Sequence, residues 1–160
     1  MTNEEYITKN ISSKYPDSKY SNPTHKIIKS IHPDNLEIQN LIINSINDAK
    51  KSIKIITPYY YYVSSLDKAL IAAAKRGIDV EVITAKKRDI PAYSPFKNWI
   101  LLRKYINNNI KVYESGDLFI HMKCFQIDNQ HVTFGSFNID KWSWSNNNEV
   151  NFYAQDQNTN

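Results

Sequence analysis

Between residues 34 and 114 the chain changes three times from a helical to a strand-like hydrophobic period, and that alternation restricts the fold more than any other feature. Leu36, Ile38, Leu41, Ile42, Ile43, Ile46 and Ala49 make one apolar helical face behind a cap at Asp34 or Asn35. Ser52-Ile-Lys-Ile-Ile-Thr57 follows as a strand and is stopped by Pro58. Ser65 to Arg76 reads as a second helix, capped by serine and closed by Gly77, and Ile78 to Thr84 as a second strand. Over residues 95 to 109, Trp99, Leu102, Tyr105 and Ile106 share one side of a third helix, which leads into a third strand at Ile110 to Glu114. Such alternation predicts an α/β domain: a layered mixed β-sheet flanked by helices, closed by a hairpin beyond residue 118 and a last strand near Val150 to Tyr153. Residues 1 to 33 mix Asn, Ser, Lys, Tyr and Pro with little periodicity, so they are expected as a flexible or extended N-terminal arm, with the domain over 34 to 156.

The hairpin carries the polar residues. Leu118 to Ile127 is rich in aromatic and branched side chains, Asp128-Asn129-Gln130 supplies turn chemistry, and His131-Val-Thr-Phe134 returns. Alternation along a strand sets His121 and Lys123 on one face, continued inward by Phe125 and Ile127. Gly135-Ser136 ends the return strand, where backbone N–H groups and a hydroxyl can approach an anion, and Asn138 adds an amide. An imidazole beside an ammonium, with a Gly-Ser turn and an amide, suits a phosphoryl group, whose oxygens need several donors and a positive charge.

The series His121-x-Lys123, Asp128, Gly135-Ser136-x-Asn138 resembles the signature of the phospholipase D superfamily, with every defining position filled, and Ser143, Asn147 and Glu149 fall where many members carry those residue types. The resemblance implies that His121 attacks phosphorus to form a phosphohistidine, which water or an alcohol resolves. It implies that Lys123 and Asn138 hold phosphate oxygens, and that Glu149 hydrogen-bonds the far nitrogen of a histidine. Asp128 then supports a loop, and Ser136 either donates to phosphate or caps the turn. Members of this kind pair two motifs, one histidine attacking and the other protonating the leaving oxygen. This chain has a single His-x-Lys, and His25, His32 and His131 read as lying outside the site. The second motif is therefore expected from another chain, most simply in a homodimer related by a two-fold axis.

Thr57-Pro58-Tyr59 and the run Leu66 to Val80 look like the second half of cardiolipin synthases, so the resemblance favours a phosphodiesterase or phosphatidyltransferase acting on phospholipids at a membrane surface. Two alternatives stand beside it: a single-motif homodimeric endonuclease acting on nucleic acid, and an inactive binding module or fragment of a two-motif enzyme. A net charge of +4 suits either anionic partner. No cofactor and no metal are expected, because the histidines and carboxylates lack ligand spacing. Cys124 is the one cysteine, which rules out an intramolecular disulfide, and it reads as a small buried strand residue. The sequence has neither a long apolar run nor a secretory pattern, so it reads as soluble, either cytoplasmic or peripheral at a membrane. Tyr59 to Tyr62, Lys86-Lys87-Arg88, Trp142 and Trp144 read either as contacts to substrate or bilayer or as ordinary packing and solvated loop.

Overall fold

The computed structural model describes residues 23–85, 95–116 and 120–156. It consists of β1 (Pro23–Ile31), β2 (Asn35–Leu36), α1 (Glu37–Asp48), β3 (Ser52–Thr57), α2 (Ser64–Lys75), β4 (Asp79–Thr84), α3 (Pro95–Ile106), β5 (Lys111–Glu114), β6 (Cys124–Ile127), β7 (His131–Gly135), α4 (Lys141–Ser145) and β8 (Glu149–Asp156). The strands make one mixed sheet in the order β2-β1-β8-β7-β6-β3-β4-β5. β3, β4 and β5 run parallel, while β6 joins β3 antiparallel and the remaining neighbours are antiparallel hairpins or returns. The three predicted helices and the strands after them are therefore present, and the motif hairpin occupies the two central positions of the sheet.

One face of the sheet builds the core. Ile28, Ile53, Ile55, Val80, Val82, Phe125, Ile127 and Tyr153 pack against Ile38, Ile42 and Ile46 of α1, Leu66, Leu70 and Ala73 of α2, and Leu101 and Tyr105 of α3. These strand residues alternate with their neighbours, as a two-residue period requires. On the opposite face the register aligns Tyr113, Ile83, Ile56, Cys124, Phe134, Phe152 and Ile27 in one line across seven strands. Every member of that line is half-buried or exposed.

Three expectations change on folding. Residues 23–31, read as part of an arm, form β1, which pairs with β8 over eight positions from Pro23 to Ser30. β8 needs a partner on each side, and a segment with exposed polar residues can supply backbone bonds without a hydrophobic pattern of its own. Residues 1–22 lie outside the described residues. The strand expected from Leu118 begins only at Cys124, and residues 117–119 also lie outside them. Neither helix cap is the one expected: Leu36 and Val63 hold the N-cap positions of α1 and α2, although the Asn35 side chain still accepts the Glu37 N–H at 2.8 Å.

At the far end of the hairpin three residues join Ile127 to His131, and Asp128 and Asn129 among them take φ values of 56° and 58°, left-handed values that Asp and Asn tolerate. The Asp128 carboxylate accepts the backbone N–H groups of Lys50, Lys51 and Ser52 at 2.7, 2.7 and 2.9 Å, which ties the turn to the start of β3. Burial pushes this carboxyl up, and the three N–H donors outweigh burial and hold it below the usual carboxylate range. A depressed folded value stabilises the fold above about pH 4, the unfolded carboxylate value, and that contribution disappears as pH falls through the folded value. Asp128→Asn is expected to lower stability at neutral pH by about 1–2 kcal/mol and to flatten the acid end of the stability curve, as read by urea titration across pH. A variant as stable as the parent at pH 7 would remove this tie from the account.

Candidate active site

The polar residues gather where β3 and β4 end, β6 begins, β7 ends and β8 begins, the position at strand C-termini where open α/β sheets commonly bind ligands. Ile56 of β3 lies opposite Cys124, so Lys123 and His121 sit just past the end of the sheet. The Lys123 carbonyl accepts the Gly135 N–H at 3.3 Å, which holds the two motif segments side by side. Gly135 is required by space, since a Cβ there would strike the Asn151 side chain and the Val150 carbonyl of β8.

Lys123 Nζ stands 3.3 Å from Nδ1 and 3.2 Å from Nε2 of His121, and donates to the His121 carbonyl at 3.1 Å. His121 is exposed, and the Tyr59 ring meets its imidazole edge-on with centroids 6.2 Å apart. Burial lowers the Lys123 ammonium below the ordinary lysine value, and Glu149 opposes that shift.

Glu149 is 6% exposed and collects three side-chain donors: the Ser136 hydroxyl, the Ser143 hydroxyl at 2.6 Å and the Asn147 amide at 3.3 Å. A carboxylate has about four lone-pair sites, so most of its capacity is used by these partners. Ser136 is fixed on both sides, because its oxygen also accepts the Val150 N–H at 3.0 Å. Its O–H donates to Glu149, with the Val150 carbonyl at 3.3 Å as a second acceptor. Asn138 is half-buried just before Ile139, which bridges to Tyr60, and its side-chain oxygen has no hydrogen-bond partner among the described residues. Asp128 is not part of the cluster. It lies five residues along the chain from Lys123, about 16 Å at strand rise, in the turn at the other end of β6.

His121, Lys123, Gly135, Ser136, Asn138, Ser143, Asn147 and Glu149 thus converge, while Asp128 stays apart. His131 bonds the Tyr153 hydroxyl at 2.7 Å and His25 stacks on Phe152, both away from the cluster. His32 Nε2 is 3.1 Å from the Gln39 amide, which donates in turn to the Trp144 carbonyl at 3.1 Å, and the His32 backbone N–H donates to the Asn148 side-chain oxygen. This support behind α4 has no signal in the sequence, because nothing local distinguishes Gln39 from a solvated helix residue. A second unforeseen element is a buried chain in which Tyr105 donates to Asp67 and lies 2.5 Å from the Tyr60 hydroxyl. Asp67 is 1% exposed, burial pushes its carboxyl up, and the chain braces the loop that carries Tyr59. Among the described residues no group of three His, Cys, Asp or Glu side chains is placed to hold a metal ion. Lys86-Lys87-Arg88 lie outside the described residues, as does the Trp99 side chain.

An exposed imidazole with a cation against it and a carboxylate behind can bind an oxyanion and attack its central atom. The pairing of Lys123 with Glu149 has a direct test. Lysine titration followed by NMR is expected to place Lys123 below the other lysines, and Glu149→Gln to move it lower still by removing the opposing charge. A Lys123 titration unchanged by that substitution would break the electrostatic link.

Comparison with known proteins gives a consistent picture. The family model described as cardiolipin synthase, phospholipase D-like domain, matches residues 42–160. The major cardiolipin synthase ClsA of Bacillus subtilis is 36% identical over 126 residues, covering 75% of this chain and 25% of the relative. The minor cardiolipin synthase ClsB of the same organism is 29% identical over 146 residues, 91% of this chain and 36% of the relative. The chain therefore spans between a quarter and somewhat over a third of these relatives. The crystal structure of Nuc from Salmonella typhimurium, a phospholipase D family member, superposes with a TM-score of 0.69 at 25% identity and covers 84% of each chain.

Proposed function

The chain belongs to the cardiolipin synthase, phospholipase D-like domain family, and from that premise we propose that it carries one motif half of a phosphodiester-transfer site acting on phospholipids. The observation that carries the proposal is the Lys123 ammonium lying within 3.3 Å of both ring nitrogens of an exposed His121. In the proposed reaction a His121 nitrogen attacks phosphorus, the bond to the leaving oxygen breaks with its electron pair, and a phosphohistidine results. Water or an alcohol then attacks the same phosphorus and releases the imidazole, which divides one hard displacement into two. Lys123 and Asn138 neutralise and bind the phosphate oxygens as charge develops, and Glu149 tempers the loss of charge that burial imposes on Lys123. The leaving oxygen needs a proton, for which a second histidine is the natural donor. The single His-x-Lys in the sequence supports taking it from another motif-bearing chain, in the simplest case a second copy.

Phospholipid is preferred over nucleic acid because the family model is described as cardiolipin synthase and relatives similar over most of this chain are named cardiolipin synthases. Among the described residues no helix is long and apolar enough to cross a membrane. The deciding assay pairs transfer or hydrolysis on phosphatidylglycerol vesicles with cleavage of single-stranded DNA. Lipid turnover is expected, together with a phosphoryl-enzyme trapped on acid quench. His121→Asn should lower turnover by about a thousandfold or more and remove the trapped species without changing the thermal transition. Retention of most activity would eliminate His121 as nucleophile. Turnover is also expected to survive excess EDTA; full loss that a divalent ion restores would contradict the scheme. Active protein should sediment as a dimer or larger, and a fully active monomer would refute the shared site.

A further inference from the structure

Next to the candidate site runs a groove walled by Tyr61 on one side and by Asp140, Lys141, Trp142 and Asn146 on the other. Its two walls are fastened together. The Tyr61 N–H donates to the Ile139 carbonyl at 2.9 Å, and Tyr60 makes a parallel bridge to Ile139. The α4 wall is fixed internally: the Asp140 carboxylate accepts the Ser143 N–H at 2.8 Å, and the Trp142 carbonyl accepts the N–H groups of Asn146 and Asn147, each at 2.8 Å. The groove is preformed, as small-molecule sites usually are.

α4 faces three ways. Ser143 reaches inward to Glu149, Trp144 packs on Phe137 with ring centroids 5.1 Å apart, and Trp142 stands 65% exposed in the groove. A tryptophan held mostly in water gives up the burial that its large apolar surface would otherwise gain, and such side chains mark contact surfaces. Ser143 and Trp142 are consecutive, so the element that anchors the Glu149 carboxylate also sets the groove wall. The groove adjoins the site along the chain: Asp140 lies two residues beyond Asn138, and Asn146 precedes Asn147, which donates to Glu149.

Charge decides what fits. One carboxylate, Asp140, and one ammonium, Lys141, cancel along the lining. A polyanion laid there meets no net positive charge, whereas nucleic-acid channels depend on a basic track. An apolar chain gains from the Tyr61 and Trp142 rings, while the two charged groups can keep their heads in water at the groove rim. We propose that this groove seats an acyl chain of the phospholipid whose phosphodiester is held at His121 and Lys123, an assignment that rests on the phospholipid reading of the site. Each methylene entering such a groove is worth about fourfold in binding when fully buried and less when half-covered.

The test compares kcat/KM for dibutyryl-, dihexanoyl- and dioctanoyl-phosphatidylglycerol, each below its micelle concentration, in the full chain and in Trp142→Ala. The expected result is a rise of about tenfold or more from the shortest to the longest chain, most of which disappears in the variant. Turnover that is independent of chain length, or a rise that Trp142→Ala leaves intact, overturns the groove and leaves the phospholipid reading standing. Absence of lipid turnover at every chain length, with or without cleavage of single-stranded DNA, overturns both.

Discussion

A buried carboxylate has to be satisfied, and in this fold Glu149 organises its surroundings for that reason. It opens β8, so its position is fixed by pairing with β1 on one side and by the approach of β7 on the other. To be held in a nearly water-free place it draws in the hydroxyls of Ser136 and Ser143 and the amide of Asn147. Those three residues come from the end of β7, from α4 and from the loop before β8, so a single charge gathers three segments of the chain. The same charge opposes the effect of burial on Lys123. Removing it would leave hydroxyls without an acceptor and an ammonium harder to keep protonated, and the cost would fall on geometry and chemistry together.

The sheet supplies the frame for that arrangement. Because β6 pairs with β3 and β7 with β8, the motif hairpin sits between the parallel half of the domain and its antiparallel half. Its two ends do different work. Asp128 fixes one end to the start of β3 through three backbone N–H groups, while the other end, some five residues away, presents His121 and Lys123 at the sheet edge. A motif that looks like one functional unit in sequence is thus divided into a mechanical part and a chemical part.

Much of this was legible in the residues. Period and turn chemistry located the three helices and the strands after them, because each buries one face and the sequence must repeat at 3.6 or 2 residues to do so. The motif spacing brought together His121, Lys123, Ser136, Asn138 and Glu149, which the fold does converge. β1 has no hydrophobic period of its own because Ile28 is its one core side chain, with buried Ser30 beside it and Ile27 exposed, while the rest of its contribution is backbone pairing with β8. α4 escaped notice because Lys141–Ser145 is too short to show a helical period, though Asp140, three residues before the Ser143 it caps, was a usable signal. Gln39 and Asp67 were invisible for a different reason: their partners, His32 and Trp144 for one, Tyr105 for the other, are close only after folding.

By itself the sequence determined the layered α/β class, the hairpin with its histidine and lysine on one side, and a turn at Asp128-Asn129 that few other residues would accept. These follow from local steric preference and hydrophobic period, which act over a few residues. Tertiary structure alone decided that Asp128 stands apart from the site, that Ser136 spends its proton on Glu149, and that Trp142 points outward while Trp144 turns in. Those outcomes depend on which buried polar group finds a partner across the chain, and desolvation settles that only once the sheet has closed around it.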